Sequence, residues 1–256
     1  MIKLSVYIIA YNEEKRIKET LKAASQIADE IVVVDSGSTD NTIQIVKQYH
    51  ATVFHHQWES YANQKNFAQN QCRHQWLLQL DADEVLSPDL IREIQKIKKE
   101  EPQFYAYNLK IAEIFPGMRY HKLTRTYNIL RLYHRDFADM RADLLTADRI
   151  HLTQKVPIGQ LKHPIFHYSI LSISQHVQKL NHYTDEVQAL IIKKRRRYSV
   201  FRLIFEFPRQ FLIYYIKHRY FLHGTWGFVA AMNLSYARFL KIAKSIENRR
   251  FLCQHR

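Results

Sequence analysis

Cysteine is scarce in this chain. Its 256 residues hold two, Cys72 and Cys253, far apart and without metal-type spacing. That excludes a disulfide scaffold and suits a reducing compartment. Acidic residues are also in short supply, with 24 Asp and Glu against 38 Lys and Arg and a formal net charge of +14. Acidic partners are therefore expected, whether nucleic acid, anionic lipid or a phosphorylated substrate, and charge alone does not choose among them. No strongly apolar run reaches 18 residues. The nearest, residues 220–237, is uncharged but contains His223, two glycines, Thr225, Asn233 and Ser235, which argues against a membrane span. The amino terminus enters a strand pattern with no basic n-region and apolar h-region before it, so a cytoplasmic location is expected. Internal repeats and low-complexity tracts are also lacking. What is present is 46% hydrophobic residues with 13% aromatics, enough for one large folded domain or one domain with an appendage.

The chain opens on a regular alternation. Leu4 to Ala10 (LSVYIIA) is almost wholly apolar, as a strand covered on both faces would be, and Asn12 with Glu13 and Glu14 predicts a helix reaching about Ile27. Glu30 to Val34 repeats the strand signal, and Asp35 to Asn41 (DSGSTDN) reads as a polar turn. Helical spacing follows from Thr42 to Tyr49, then a short strand at Thr52 to His55 and a helix from Tyr61 to Cys72. Trp76 to Leu80 (WLLQL) is the fourth strand, and Pro88 to Lys99 an amphipathic helix with Leu90, Ile91, Ile94 and Ile97 inward. Strands joined by helices of this length pair in parallel through right-handed crossovers, predicting a Rossmann-like, doubly wound, mostly parallel α/β sheet. Ligands of such sheets sit beyond the carboxyl ends of the strands, so Tyr11, Asn12, Asp35 and Asp83 are expected to converge there. Beyond Pro102 the rhythm changes to strand-like runs at Phe104 to Ala112 and Asn128 to Tyr133, separated by a basic loop from Phe115 to Thr126. A polar segment then runs to about Lys162, and from Ser169 onward the pattern is mainly helical.

The fourth strand ends in Asp81, Ala82, Asp83 and Glu84. Carboxylates at the end of a buried strand are costly unless a cation pairs with them. Mg²⁺ or Mn²⁺ accepts one or two carboxylates and takes its remaining oxygens from water and substrate phosphates, so the cluster reads as half of a metal-diphosphate clamp. The alternative is that these residues only favour the start of the next helix, opened by Ser87 and Pro88. Likewise Asn12 and Asp35 have an alternative as plain caps or turn residues, Tyr11 as a packing residue and Lys65 as a solvated charge.

Four segments in this order, SVYIIAYNEEKRI, EIVVVDSGSTDNT, NQKNFAQ and WLLQLDADE, resemble the family 2 glycosyltransferases of GT-A fold. The carboxyl-terminal stretches FHYSILSISQHVQKLNHYTDEVQA and FLHGTWGFVAA are similar to those of bacterial lipopolysaccharide core β-1,4-glucosyltransferases. The resemblance implies a GT-A catalytic domain over 1–168, with a nucleotide-sugar half at about 1–101 and an acceptor half at about 102–168. A helical, basic and aromatic membrane-associating extension follows over 169–256. It implies an inverting, metal-dependent hexosyltransferase carrying glucose or a related hexose from a UDP-sugar to the inner-core heptose of lipopolysaccharide. In that scheme Ala10, Tyr11 and Glu13 line the nucleoside, Asp35 bonds the base or ribose, and Lys65 approaches the nucleotide. Asp81 and Asp83 match the DXD positions and are the expected metal residues for Mg²⁺ or Mn²⁺, with Asp83 favoured over Asp81 as the direct ligand.

An inverting transfer needs a base at the acceptor hydroxyl. The relatives carry an Asp-Leu-Val-His-Glu segment after an Arg-Leu-Tyr strand; here, counted without gaps from Arg131, stand Asp143, Leu144, Leu145, Thr146 and Ala147. Asp148 is the candidate base, Asp143 the second, and a gapped match brings in His151. The fourteen histidines show no repeated ligand spacing on a helix, so structural zinc is not expected; His167, in FHYS, stands apart because the family match places it near the end of the catalytic domain. Lys193 to Arg219 interleaves basic and bulky apolar residues with only Glu206 negative, which suits a helix in the interface of an anionic inner membrane on its cytoplasmic face; a dimerisation helix is the alternative. A polyprenyl-phosphate acceptor is a further possibility within the enzyme class. A basic nucleic-acid-binding protein using Arg119 to Arg125 is the reading from a different class, and it leaves the acidic cluster unexplained, so nucleic acid is not expected as the partner.

Overall fold

The structure, a computed structural model, describes residues 2–140, 149–193 and 198–254, with the side chains of 189, 190 and 250–254 outside the described set. The chain divides into two compact units, Met1–Glu113 with Thr126–Tyr168, and Ile114–Arg125 with Ser169–Arg256.

The first unit is built on an eight-stranded sheet. Its strands are β1 (Leu4–Ala10), β2 (Glu30–Asp35), β3 (Thr52–His55), β4 (Trp76–Asp81), β5 (Glu84–Leu86), β6 (Ala106–Glu113), β7 (Tyr127–His134) and β10 (Gly159–His167). They lie in the order β3-β2-β1-β4-β7-β6-β10-β5, while β8 (Ala138–Met140) and β9 (Ile150–Leu152) form a separate antiparallel pair. The β3-β2-β1-β4 half is parallel throughout. Its helices are α1 (Ile17–Ala24), α2 (Thr42–Gln48), α3 (Tyr61–Asn70) and α4 (Pro88–Lys99). Every residue of β1 and β2 is buried, as parallel strands covered on both faces require. One apolar layer joins Val6, Ile8 and Leu78 to Leu21 and Leu90; the other joins Tyr7, Val32 and Leu77 to Ala68 and Tyr133. Each fully buried Leu, Ile or Val there contributes about 1.5–3 kcal/mol of transfer free energy.

Three elements differ from their sequence expectation. The helix expected from Asn12 starts only at Ile17, because Asn12 adopts a left-handed φ of 54° and its side-chain oxygen accepts the Thr39 N–H, while Glu13–Arg16 form a turn. Asp81–Glu84 do not simply lead into α4: Glu84 opens β5, which pairs antiparallel with β10. The polar stretch running to Lys162 and beyond contains β10, whose Pro164 sits where the register with β6 shifts, a place that tolerates a missing N–H.

The second unit contains α5 (Ile173–Lys193), α6 (Val200–Leu212), a π-helical turn (Ile213–Lys217), a 3-10 turn (Tyr220–His223) and α7 (Gly224–Gln254). Pro208 does not divide α6, which continues to Leu212 before the π-turn. The 3-10 turn rests on α7 at Gly227, where a Cβ would lie 1.8 Å from the Tyr220 carbonyl oxygen, so only glycine permits the approach. Among the described residues no helix is long and apolar enough to cross a membrane.

Candidate active site

Strand register sets the first layer of the site. Ala10 pairs with Asp35 across β1 and β2, and Ile9 pairs with Asp81 across β1 and β4, so the carboxyl ends of three parallel strands finish in one row. The two loops beyond β1 and β2 are laced together. The Asn12 N–H donates to Ser38 Oγ at 2.9 Å, the Thr39 N–H to Asn12 Oδ1 at 2.8 Å, and the Glu13 N–H to Thr42 Oγ1 at 2.7 Å. Asp35 turns its carboxylate into its own loop, accepting the N–H groups of Gly37 and Ser38 and the Ser38 hydroxyl. A carboxylate has about four acceptor positions, so one remains. Gly37 provides the positive φ of 98° this turn needs. Tyr11, between these loops, leaves its ring 58% exposed.

The acidic turn after β4 is pinned from three sides. Thr20 Oγ1 of α1 donates to the Ala82 carbonyl at 2.9 Å, the Tyr168 N–H to the Asp83 carbonyl at 2.9 Å, and the Asp81 N–H to Glu84 Oε2 at 2.9 Å. Each carboxylate faces cations. Asp81 Oδ1 lies 2.8 Å from Lys65 Nζ, and Asp81 Oδ2 lies 3.2 Å from Arg131, which also reaches Glu84 at 2.7 Å. Lys65 comes from the buried face of α3, which Ser60 caps, and is 1% exposed. Burial alone would raise the Asp81 carboxyl, but Lys65 and Arg131 outweigh it and hold it well below the usual carboxylate range. Glu84, 1% exposed, goes the other way: burial raises it more than Arg131 lowers it. Asp83 Oδ2 meets Arg16 at 3.1 Å, and Arg16 also grips Glu13 and donates to the Tyr168 carbonyl at 3.2 Å. The loop after β1 is thereby tied to the turn after β4.

His167, the last residue of β10, is flanked in register by Glu84 of β5 and Glu113 of β6. Its Nδ1 is 2.7 Å from Glu113 Oε1, and its Nε2 is 3.3 Å from Asp83 Oδ1. Burial would lower its pKa, but Glu113 and Asp83 outweigh it and hold it above the usual imidazole range. A carboxylate holding one imidazole nitrogen is the usual supporting partner of a metal-ligating histidine, and here the other nitrogen stands beside the Asp83 carboxylate. Among the described residues no group of three or more His, Cys, Asp or Glu stands together as a metal cage. A hard dication that takes its other oxygens from phosphate and water does not need one. The Asp83 and His167 donors therefore fit such an ion, whereas both oxygens of Asp81 are committed to Lys65 and Arg131.

Of the residues singled out from sequence, Ala10, Tyr11, Glu13, Asp35, Asp81 and Asp83 fall on this one sheet edge or on the loops leading from it, and Lys65 reaches it from α3. Asp143 and Asp148 lie outside the described residues. The strands that bracket them are anchored, since Met140 donates its N–H to Gln69 Oε1 at 2.9 Å and its carbonyl accepts from the Gln69 side chain. His151 has a buried Nε2 with no hydrogen-bond partner among the described residues. Sequence reasoning passed over Arg16, Glu113 and Arg131. Arg131 carried a signal, because an arginine inside the apolar run YNILRLYH is 5% exposed and a buried guanidinium requires carboxylates. Arg16 and Glu113 carried none, since a basic residue near a helix start and an acid at a strand end are commonplace.

Comparison with known proteins gives this edge its context. The model of a family described as Glycosyl transferase family 2 matches residues 5–149. An uncharacterized glycosyltransferase of Rickettsia typhi, RT0209, is 36% identical over 253 residues, covering 95% of this chain and 87% of its own. The lipopolysaccharide core biosynthesis glycosyltransferase LpsC of Rhizobium meliloti is 29% identical over 251 residues, covering 94% and 91%. Among solved structures, residues 1–349 of S. aureus TarS superpose with a TM-score of 0.47 at 19% identity, over 73% of this chain and 65% of that one. With more than half its length matched by the family model and a relative above 30% identity along nearly all of it, this chain belongs to glycosyl transferase family 2, and its fold is GT-A.

Proposed function

We propose that this protein transfers a hexose, with glucose as the expected sugar, from a UDP-sugar to the inner-core heptose of a bacterial lipopolysaccharide, with inversion at the anomeric carbon. The observation that carries the reading is the Glu113–His167–Asp83 chain at the carboxyl edge of the parallel strands. The similarity to LpsC over nearly the whole chain supports the acceptor class.

The residues divide the work by position. The exposed Tyr11 ring offers a face to the uracil, and the remaining acceptor position of Asp35 a hydrogen bond to the base or ribose. Asp83 and His167 would hold Mg²⁺ or Mn²⁺, with Glu113 bound to Nδ1 and so fixing the imidazole tautomer. When bound, that ion neutralises charge on the diphosphate and stabilises the departing UDP, an effect worth several kcal/mol. Arg16, paired with Asp83, is assigned to the phosphate oxygens, whereas Lys65, assigned to the nucleotide by the family match, is spent on Asp81 and with Arg131 keeps Asp81 and Glu84 neutralised. In the transfer itself the acceptor hydroxyl oxygen bonds to the anomeric carbon. The bond from that carbon to the phosphate oxygen breaks with its electron pair leaving on UDP, and the hydroxyl proton passes to a carboxylate, assigned to Asp148 with Asp143 as second choice.

The test is a purified-protein assay with UDP-glucose, UDP-galactose and UDP-N-acetylglucosamine, a truncated inner-core acceptor, and Mg²⁺, Mn²⁺ or EDTA. Transfer and UDP release dependent on the ion, abolished in Asp83→Asn, are the expected result. If no donor is used, or if Asp83→Asn and EDTA leave the rate intact, the reading fails.

A further inference from the structure

The second unit has its own unexplained surface. Along α6 the side chains of Phe201, Ile204, Phe205 and Leu212 are 72%, 64%, 52% and 55% exposed, and Ile216 in the π-turn is 58% exposed. At 100° per residue Phe201, Phe205, Pro208 and Leu212 fall within one narrow stripe, with Ile204 on its border. This is not a core face waiting inside the unit, because α6 has another face that packs. Leu203 joins Ile191, Tyr198, Ile242 and Ile246, and Phe211 meets the rings of Tyr215 and Phe228. A contiguous apolar stripe left in water on a soluble protein marks a contact surface.

Charge selects the partner. Residues 193–219 hold nine Lys or Arg and one acid, Glu206. That acid is 4% exposed, turned away from the stripe and held by Arg209 at 2.9 Å and Arg202 at 3.5 Å. Arg202 and Arg209 themselves flank the stripe with side chains 54% and 51% exposed. Lys217 and Arg219 stand exposed beyond its carboxyl end. Bulky apolar residues in a line, basic residues along the margin and no exposed acid fit the boundary between the headgroups and acyl chains of an anionic bilayer. A protein partner would have to supply both an apolar groove and an acidic rim. We propose that the Phe201–Leu212 face of α6 lies in the interface of an anionic membrane, aromatic rings toward the acyl chains and Arg202 and Arg209 among the lipid phosphates. Surface docking of this kind needs no spanning helix, in keeping with the absence of one among the described residues. The inference rests on the second unit alone and stands whether or not the sugar-transfer reading does.

The experiment is vesicle flotation of the full chain. Vesicles of phosphatidylethanolamine with about one-third phosphatidylglycerol are compared with vesicles of phosphatidylcholine, at low and high salt. The unmodified chain is expected to float with anionic vesicles and to bind neutral ones about tenfold less or weaker still, with added salt narrowing the gap. The triple variant Phe201→Ser, Phe205→Ser, Leu212→Ser, made at exposed positions, is expected to lose about tenfold or more in partitioning while its circular dichroism spectrum and melt are unchanged. Failure of the unmodified chain to float, equal binding to both lipid mixtures, or undiminished flotation of the triple variant overturns the proposal. So does light scattering that shows a dimer for the unmodified chain and a monomer for the variant, since the stripe would then be a subunit interface.

Discussion

Replacing Arg131 with methionine tests whether the cations under the acidic turn are what allow it to exist. Arg131 is 5% exposed and bridges Asp81 at 3.2 Å and Glu84 at 2.7 Å, and Glu84 is itself 1% exposed. Methionine preserves much of the volume and removes the charge, leaving Glu84 buried with the Asp81 N–H as its hydrogen-bond donor among the described residues. Breaking a buried ion pair from one side costs about 3–5 kcal/mol, because the remaining carboxylate is uncompensated. For a unit of this size about 1 kcal/mol corresponds to roughly 2–4 °C, so a drop of about 6–20 °C in Tm is expected. The second arm is the double variant Arg131→Met, Glu84→Gln. Glutamine keeps an oxygen for the Asp81 N–H but carries no charge, so the double variant should recover about half or more of the lost stability. Circular dichroism melts and urea titrations read both arms. If Arg131→Met stays within about 1 kcal/mol of the parent, or if the two substitutions simply add, the charge-compensation argument is wrong.

Other outcomes follow from single contacts. Glu113→Gln should weaken Mn²⁺ affinity about 10- to 100-fold, measured by titration in the presence of UDP, because the carboxylate that orients and polarises His167 is lost. An unchanged affinity would remove His167 from the ligand set. Partial burial pushes the Asp29 carboxyl up, but Lys98, the Leu4 N–H and Lys3 outweigh it and bring it from 3.8 to about 2. The lowered folded value means its contribution is whole above pH 3.8 and fades as pH falls through about 2. Urea midpoints of the parent and Asp29→Asn should therefore differ by a constant amount near neutrality and converge toward pH 2. Gly227→Ala places a Cβ 1.8 Å from the Tyr220 carbonyl, so the 3-10 turn must leave α7; faster proteolysis near residues 218–227, with the melting of the first unit unaltered, is the expected signature.

Periodicity was a sufficient guide to the parallel half of the sheet. Strands β1 to β4 and helices α2 and α4 stand within a residue or so of their expected places, since buried strands and amphipathic helices announce themselves locally. The loops they feed were legible too: motif and resemblance singled out Ala10, Tyr11, Glu13, Asp35, Asp81 and Asp83 there, and Lys65 on α3. The sequence did not reveal β10, where His163 and Pro164 interrupt the alternation, nor β5, three residues long inside an acidic run.

The sequence by itself determined the alternation of strands and helices, the side of the sheet on which polar loops gather, the excess of positive charge and membership of the family. The first three follow from short-range rules, namely a side-chain period of two or 3.6, turn residues and composition, and the last from the likeness of its motifs to those of known relatives. Only the tertiary structure decided which charge answers which. Arg16 meets Asp83 from 67 positions away, Arg131 meets Glu84 from 47, and His167 joins Glu113 from 54. Such pairings depend on strand order and register, which place a residue of β10 between β5 and β6. No local pattern encodes which distant strand will lie alongside, so the partners of a buried charge become visible only when the sheet is assembled.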